Sequence, residues 1–147
     1  MRIYTIGFTK KTAEHFFETL SASGTKRVID VRLRPNTQLA GFAIGRDQVY
    51  LLRKICEIDY IHLPYLAPEP EMFDEYRKSK EPDAWATYET RFLELMAQRR
   101  IEENVSKEVV EDGCLLCSED KAHHCHRRLV AEYLRDRWGG AEITHLE

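Results

Sequence analysis

Residues 2–32 read RIYTIGFTKKTAEHFFETLSASGTKRVIDVR, and this stretch decides the fold. Arg2 to Phe8 has the apolar, β-branched character of a strand. Thr12 is placed to cap a helix on which Ala13, Phe16, Phe17 and Leu20 recur at helical spacing, and Gly24 stops it. Lys26 to Arg32 gives a second strand, apolar in its middle, that runs into the polar segment Arg32-Leu33-Arg34-Pro35-Asn36-Thr37-Gln38. Strand, helix and strand in that order make a βαβ unit, whose two strands run parallel.

The same alternation continues outward. Asp47 is placed to cap a helix carrying Val49, Leu52, Ile55 and Cys56, and Asp59 to Pro64 reads as a third strand that the proline ends. Ala67 to Pro82 is rich in Pro and Glu, with a short helix through Met72, Phe73 and Tyr76. It reads as a surface excursion or lid with no core of its own. Asp83 to Arg99 is helical, with Trp85, Tyr88, Phe92 and Leu95/Met96 on one stripe, and further turns carry Ile101, Val105 and Val109 before Asp112-Gly113. Cys114 to Cys117 is a short buried strand, Ser118 to His124 a loop, Cys125 to Trp138 a helix ended by Gly139-Gly140, and Glu142 to Leu146 a last strand. The order predicts a single α/β domain over residues 1–147, with a mostly parallel five-stranded sheet flanked by helices in Rossmann-like layering.

Composition agrees with one core. The chain has 147 residues, 43% of them hydrophobic, and a formal net charge of -3. That charge supplies no global basic field, which disfavours a role coating DNA through counterion release. The start lacks an apolar signal core and no stretch approaches the length of a membrane span, so a cytoplasmic protein is expected. The four cysteines, Cys56, Cys114, Cys117 and Cys125, come without a secretion signal. They argue for thiols or a metal site rather than a disulfide framework.

In an open parallel sheet, ligands gather where the strands end and the following helices begin. The strand ends here supply Gly7-Phe8-Thr9, Asp30 to Arg34, His62-Leu63-Pro64 and Cys117-Ser118-Glu119, and the last long helix opens with Cys125-His126-Arg127-Arg128. Cys125 at a helix N-terminus beside His126 and Arg127 is in a setting that favours thiolate, which makes it a candidate nucleophile. The plainer alternative is a small packing residue. Cys117 divides the same way, and the two together could form a redox pair. His126 can act as donor, acceptor or general base, and Glu119 as acid or base, as a partner for Arg127, or as a solvated loop carboxylate.

Asp30, flanked by Ile29 and Val31, needs a partner among Arg32, Arg34 and Arg127. Arg32 and Arg34, two apart at a strand exit, can present guanidinium forks to a phosphate or carboxylate, or lie solvated at the surface. His62 shares a face of its strand with Tyr60, and a half-buried, satisfied histidine is the commoner role for it. The Cys114-x-x-Cys117 pair with Cys125 and nearby histidines also invites zinc. However, residues three apart on an extended strand face opposite ways, which argues against that pair as joint ligands. No dinucleotide glycine motif, phosphate-binding P-loop or serine elbow occurs.

Thr5-Ile6-Gly7, Asp30-Val31-Arg32 with Pro35, Tyr60-Ile61-His62-Leu63-Pro64, and Leu115-Leu116-Cys117-Ser118-Glu119 followed by His124-Cys125-His126-Arg127-Arg128 together resemble an uncharacterised prokaryotic family, domain of unknown function 488. Phe8 departs from the His or Tyr that many members carry after the glycine. The resemblance implies a compact α/β domain and no particular reaction. It also implies that Asp30, Arg32, Cys117, Glu119, Cys125, His126 and Arg127 form one constellation.

Three functions fit these residues. The first is a small thiol-dependent transferase or hydrolase acting on an anionic, phosphorylated or nucleotide-like substrate. It would use Cys117, Glu119, Cys125 and His126 for chemistry and Asp30, Arg32, Arg34, His62 and Arg127 for binding. The second is a non-catalytic module binding nucleic acid or a protein partner. The third is a metal protein built on the Cys/His cluster.

Overall fold

In the computed structural model, which describes residues 1–36 and 40–147, the strands are β1 (Arg2–Gly7), β2 (Arg27–Asp30), β3 (Asp59–His62), β4 (Gly113–Cys117) and β5 (Glu142–His145). They form one all-parallel sheet in the order β3-β2-β4-β1-β5. The helices among the described residues are α1 (Ala13–Ser23), α2 (Gly45–Leu51), α3 (Pro70–Lys78), α4 (Ala84–Arg99), α5 (Ile101–Asn104), α6 (Lys107–Val110) and α7 (His126–Trp138). None is long and apolar enough to cross a membrane. Thr37 and Gln38, the end of the polar segment after β2, lie outside the described residues.

A parallel sheet is covered on both faces, so the inner strands β1, β2 and β4 are buried along most of their length, and side-chain alternation sorts them into two cores. Ile3, Ile29, Val31, Leu115 and Cys117 pack with Phe92, Met96, Val130 and Leu134 of α4 and α7. Tyr4, Ile6, Val28, Cys114 and Leu116 pack on the other face with Phe16, Phe17 and Leu20 of α1 and with Leu52, which follows α2.

Element ends follow local chemistry. Thr12 Oγ1 accepts from the His15 N–H at 3.1 Å, and Gly24 closes α1 with φ 84°. The second helix starts earlier than Asp47. Its first residue, Gly45, donates its N–H to the Pro35 carbonyl at 2.6 Å, so the close approach of that loop sets the start. Asp47 lies within the helix and pairs with Arg46 on the surface. The chain beyond α2 widens into a π-helix over Leu52–Cys56. The strand β2 ends at Asp30 because the carboxylate takes the Arg32 N–H at 3.1 Å, turning the backbone out of the sheet.

Candidate functional site

Alternation along β4 builds the centre of the site. Cys114 and Leu116 face α1, while Leu115 and Cys117 face α7, so the Cys114-x-x-Cys117 pair is split across the sheet. Register places Cys117 beside Gly7 of β1, and Leu116 beside Asp30 of β2. Cys117 therefore stands at the carboxyl edge of the central strand. All four cysteines are free thiols.

The loop after β4 is clamped from two sides. The Ser118 carbonyl accepts from the N–H groups of Phe8 (3.3 Å) and Thr9 (3.1 Å) and from Thr9 Oγ1 (2.8 Å). Arg127, fully buried, donates Nη1 to the Glu119 carbonyl at 2.6 Å, Nη2 to the Asp120 carbonyl at 3.3 Å and Nε to Thr5 Oγ1 at 3.4 Å. Glycine is required at position 7 because an added Cβ would lie 1.6 Å from the Glu119 oxygen. This loop delivers the chain to Cys125, the N-cap of α7, and to His126, its first residue.

Cys117 Sγ, Cys125 Sγ and a ring nitrogen of His126 all lie within 4.8 Å of one another, all three residues buried. Either nitrogen of His126 is close to Cys117 Sγ, Nδ1 at 3.7 Å and Nε2 at 3.8 Å. Nε2 also sits 2.8 Å from the Val31 carbonyl, which can only accept. The neutral ring therefore carries its proton on Nε2 and turns the Nδ1 lone pair to the thiols.

The two thiols are inequivalent. The Cys125 thiol as hydrogen-bond donor holds Cys117 below the ordinary cysteine value against the opposing effect of burial, helped by the Ser118 N–H and the Arg127 charge. Burial and the neighbouring Cys117 push Cys125 well up. Of the pair, Cys117 is thus the thiol that ionises more readily, and Cys125 the one that keeps its proton. Reading the helix N-terminus alone favours Cys125, but full burial outweighs the dipole there.

On the other side of the sheet edge, Arg32 Nε and Nη2 clasp both oxygens of Asp30 at 2.9 and 2.7 Å, and Tyr60 Oη donates to the same carboxylate at 2.5 Å. Burial opposes the Arg32 charge, yet the Asp30 hydrogen bonds and charge overcome it and raise its pKa. The guanidinium lies over the Phe8 ring, 5.1 Å from its centroid. His62 Nε2 is 2.7 Å from the Arg32 carbonyl. Arg32 is 4% exposed, and its remaining nitrogen, Nη1, has no hydrogen-bond partner among the described residues.

These groups border two adjoining hollows, of about 360 and 180 Å³, which share Cys117, Ser118, His126, Arg34 and two residues of α3. Arg32 lines the smaller, while Cys125 and Glu119 line the larger. The expected constellation therefore divides. Cys117, Glu119, Cys125, His126, Arg32 and Arg34 meet at the cleft, while both Asp30 oxygens, His62 Nε2 and all three guanidinium nitrogens of Arg127 are already engaged in holding neighbouring groups in place. Residues treated in the sequence as lid or core, Phe73 and Tyr76 of α3 with Trp85 and Tyr88 of α4, form the outer wall. The signal for them was a tyrosine hydroxyl on the apolar stripe of α4. Cys117, Cys125 and His126 are also the residues that could hold a metal ion.

A family model described as "Domain of unknown function DUF488" matches residues 12–134 of the chain. Neither the comparison with curated proteins nor that with solved structures gives a match.

Proposed function

The chain belongs to the family of domain of unknown function DUF488, and because membership brings no reaction with it, we propose from the cleft itself a thiol-dependent transferase or hydrolase acting on a small anionic substrate. The observation that carries this reading is the clustering of the buried Cys117 thiol with Cys125 and His126 at a cleft that a buried arginine also lines, its Nη1 without a partner among the described residues. A thiolate is the nucleophilic form of cysteine, and an unpaired guanidinium N–H is a ready donor for a substrate oxygen.

In this reading Cys117 Sγ bonds to the electrophilic carbon or phosphorus, and the bond to the leaving group breaks with its electron pair. Cys125, or His126 once its Nδ1 has taken the Cys117 proton, supplies the proton that the leaving group takes up. Glu119, exposed at the rim, then takes a proton from the water or acceptor that cleaves the thiol adduct. Arg32 and Arg34 bind the anion, and Asp30, Tyr60, His62 and Arg127 act as positioning residues.

Alkylation tests both halves of the proposal. Iodoacetamide should label Cys117 first, with a rate midpoint below the value of about 8.5 for free cysteine. The anionic analogue iodoacetate should gain on iodoacetamide relative to free cysteine, and lose that gain in Arg34→Ala. A Cys117 midpoint at or above that of free cysteine would remove the nucleophile.

A second reading rests on the same atoms. Two thiols and an imidazole whose far nitrogen is tied to a backbone carbonyl are a donor set suited to zinc, and Cys117, Cys125 and His126 would hold it. Stoichiometric zinc in untagged protein prepared without chelator would replace the nucleophile reading with this one.

A further inference from the structure

The wall of the cleft facing the thiols is aromatic and carries a buried hydroxyl. Tyr88 is 4% exposed, and its hydroxyl has no hydrogen-bond partner among the described residues. A buried hydroxyl left unpaired is unfavourable, so the position suits a ligand acceptor. Burial raises the Tyr88 pKa, and the charges of Cys117 and Cys125 add to it, so the group stays a neutral donor. Tyr76 packs against it with ring centroids 4.9 Å apart, and Trp85 stacks on His124 at 4.7 Å. Arg34 and Arg77, both exposed, line the same cleft. Its volume, about 360 Å³, is at the small end of ligand pockets.

Each feature selects a part of one ligand. Aromatic walls suit a flat ring, the Tyr88 hydroxyl suits an acceptor on the ring edge, and two arginine forks suit a phosphate. We infer that the cleft binds a nucleoside monophosphate, with its base among Phe73, Tyr76 and Trp85, a base-edge acceptor on Tyr88 Oη and its phosphate on Arg34 and Arg77. The inference rests on the cleft being the substrate site and names the substrate class. A free nucleotide fits better than a nucleic acid, because a net charge of -3 supplies no global basic field to attract a phosphate backbone.

Calorimetric titration of the full chain with AMP, GMP, CMP and UMP tests this. At least one should bind saturably at one site, with the matching nucleoside and inorganic phosphate each at least tenfold weaker. Tyr88→Phe, which removes only an oxygen without a partner among the described residues, should weaken that nucleotide by about three- to tenfold. Arg34→Ala combined with Arg77→Ala should weaken it further and flatten its salt dependence.

The inference is overturned if none of the four saturates at millimolar concentration, if Tyr88→Phe binds like wild type, or if phosphate binds as tightly as the nucleotide. Binding of a single-stranded oligonucleotide without any mononucleotide also overturns it. Nucleotide binding with ordinary Cys117 reactivity would remove the catalytic reading alone. A depressed Cys117 midpoint without nucleotide binding would remove this inference alone.

Discussion

Replacing Gly7 by alanine would show how tightly the edge of the sheet holds the loop that carries the site. The new Cβ would sit 1.6 Å from the Glu119 oxygen and 2.6 Å from its carbonyl carbon, both backbone atoms. Since ordinary contacts begin near 3.4 Å, the loop must retreat by about 1.8 Å. A shift of that size breaks the Arg127–Glu119 bond, now 2.6 Å, and strains the bonds from Phe8 and Thr9 to the Ser118 carbonyl. A bond from a buried guanidinium contributes about 1.5–3 kcal/mol and each neutral one about 1 kcal/mol, so the variant should lose roughly 3–5 kcal/mol. For a chain of this length that lowers Tm by on the order of 10 °C. Urea unfolding of wild type and Gly7→Ala measures the loss directly. The displaced loop also moves the Ser118 N–H and Arg127 away from Cys117, so its alkylation midpoint should rise. A Gly7→Ala protein within about 1 kcal/mol of wild type would refute the clamp, since a mutation with no structural consequence usually falls within that range.

Asp30→Asn leaves the buried Arg32 guanidinium without its counter-charge and should cost about 3–5 kcal/mol in urea unfolding, against about 1 kcal/mol for Tyr60→Phe. Burial and the Arg127 charge hold His145 below the ordinary histidine value. The native state therefore takes up that proton less readily than the unfolded chain, and the stability contribution is complete above about pH 6.5 and fades as pH falls. Thermal melts from pH 7 to 5 should show a shallower decline in His145→Ala. Cys114 is buried on the opposite face, where burial pushes its thiol up. Cys114→Ala should thus cost on the order of 1 kcal/mol by denaturation while leaving the pH profile of Cys117 alkylation unchanged.

How much of this was legible in the sequence depended on whether a property was local. Periodicity and turn residues are local, so the strands, Thr12, Gly24 and the opposite facing of Cys114 and Cys117 could be read directly. Strand order could not, because pairing between strands far apart in the chain leaves no mark on local periodicity. The gathering of Cys117, Cys125 and His126 followed from parallel strands ending at one rim, but which cysteine ionises did not. Helix position argues for Cys125, whereas burial and the donor relation that decide the matter for Cys117 exist only in three dimensions. Arg127 looked like an anion binder because its appetite for backbone carbonyls depends on the path of residues 118–120. Tyr88 looked like core because its stripe is apolar, and only the folded cleft reveals a hydroxyl without a partner among the described residues.

The central claim is that, of the two buried sulfurs, Cys117 takes the negative charge first, below the ordinary cysteine value, while Cys125 keeps its proton. Thiolate absorbance at 240 nm, followed from pH 4 to 10 in the folded protein, measures that charge without a reagent. The account expects one ionisation below the free-cysteine value of about 8.5, abolished in Cys117→Ser and shifted upward in Cys125→Ala. An early ionisation that survives Cys117→Ser, or that disappears with Cys125 instead, would contradict it.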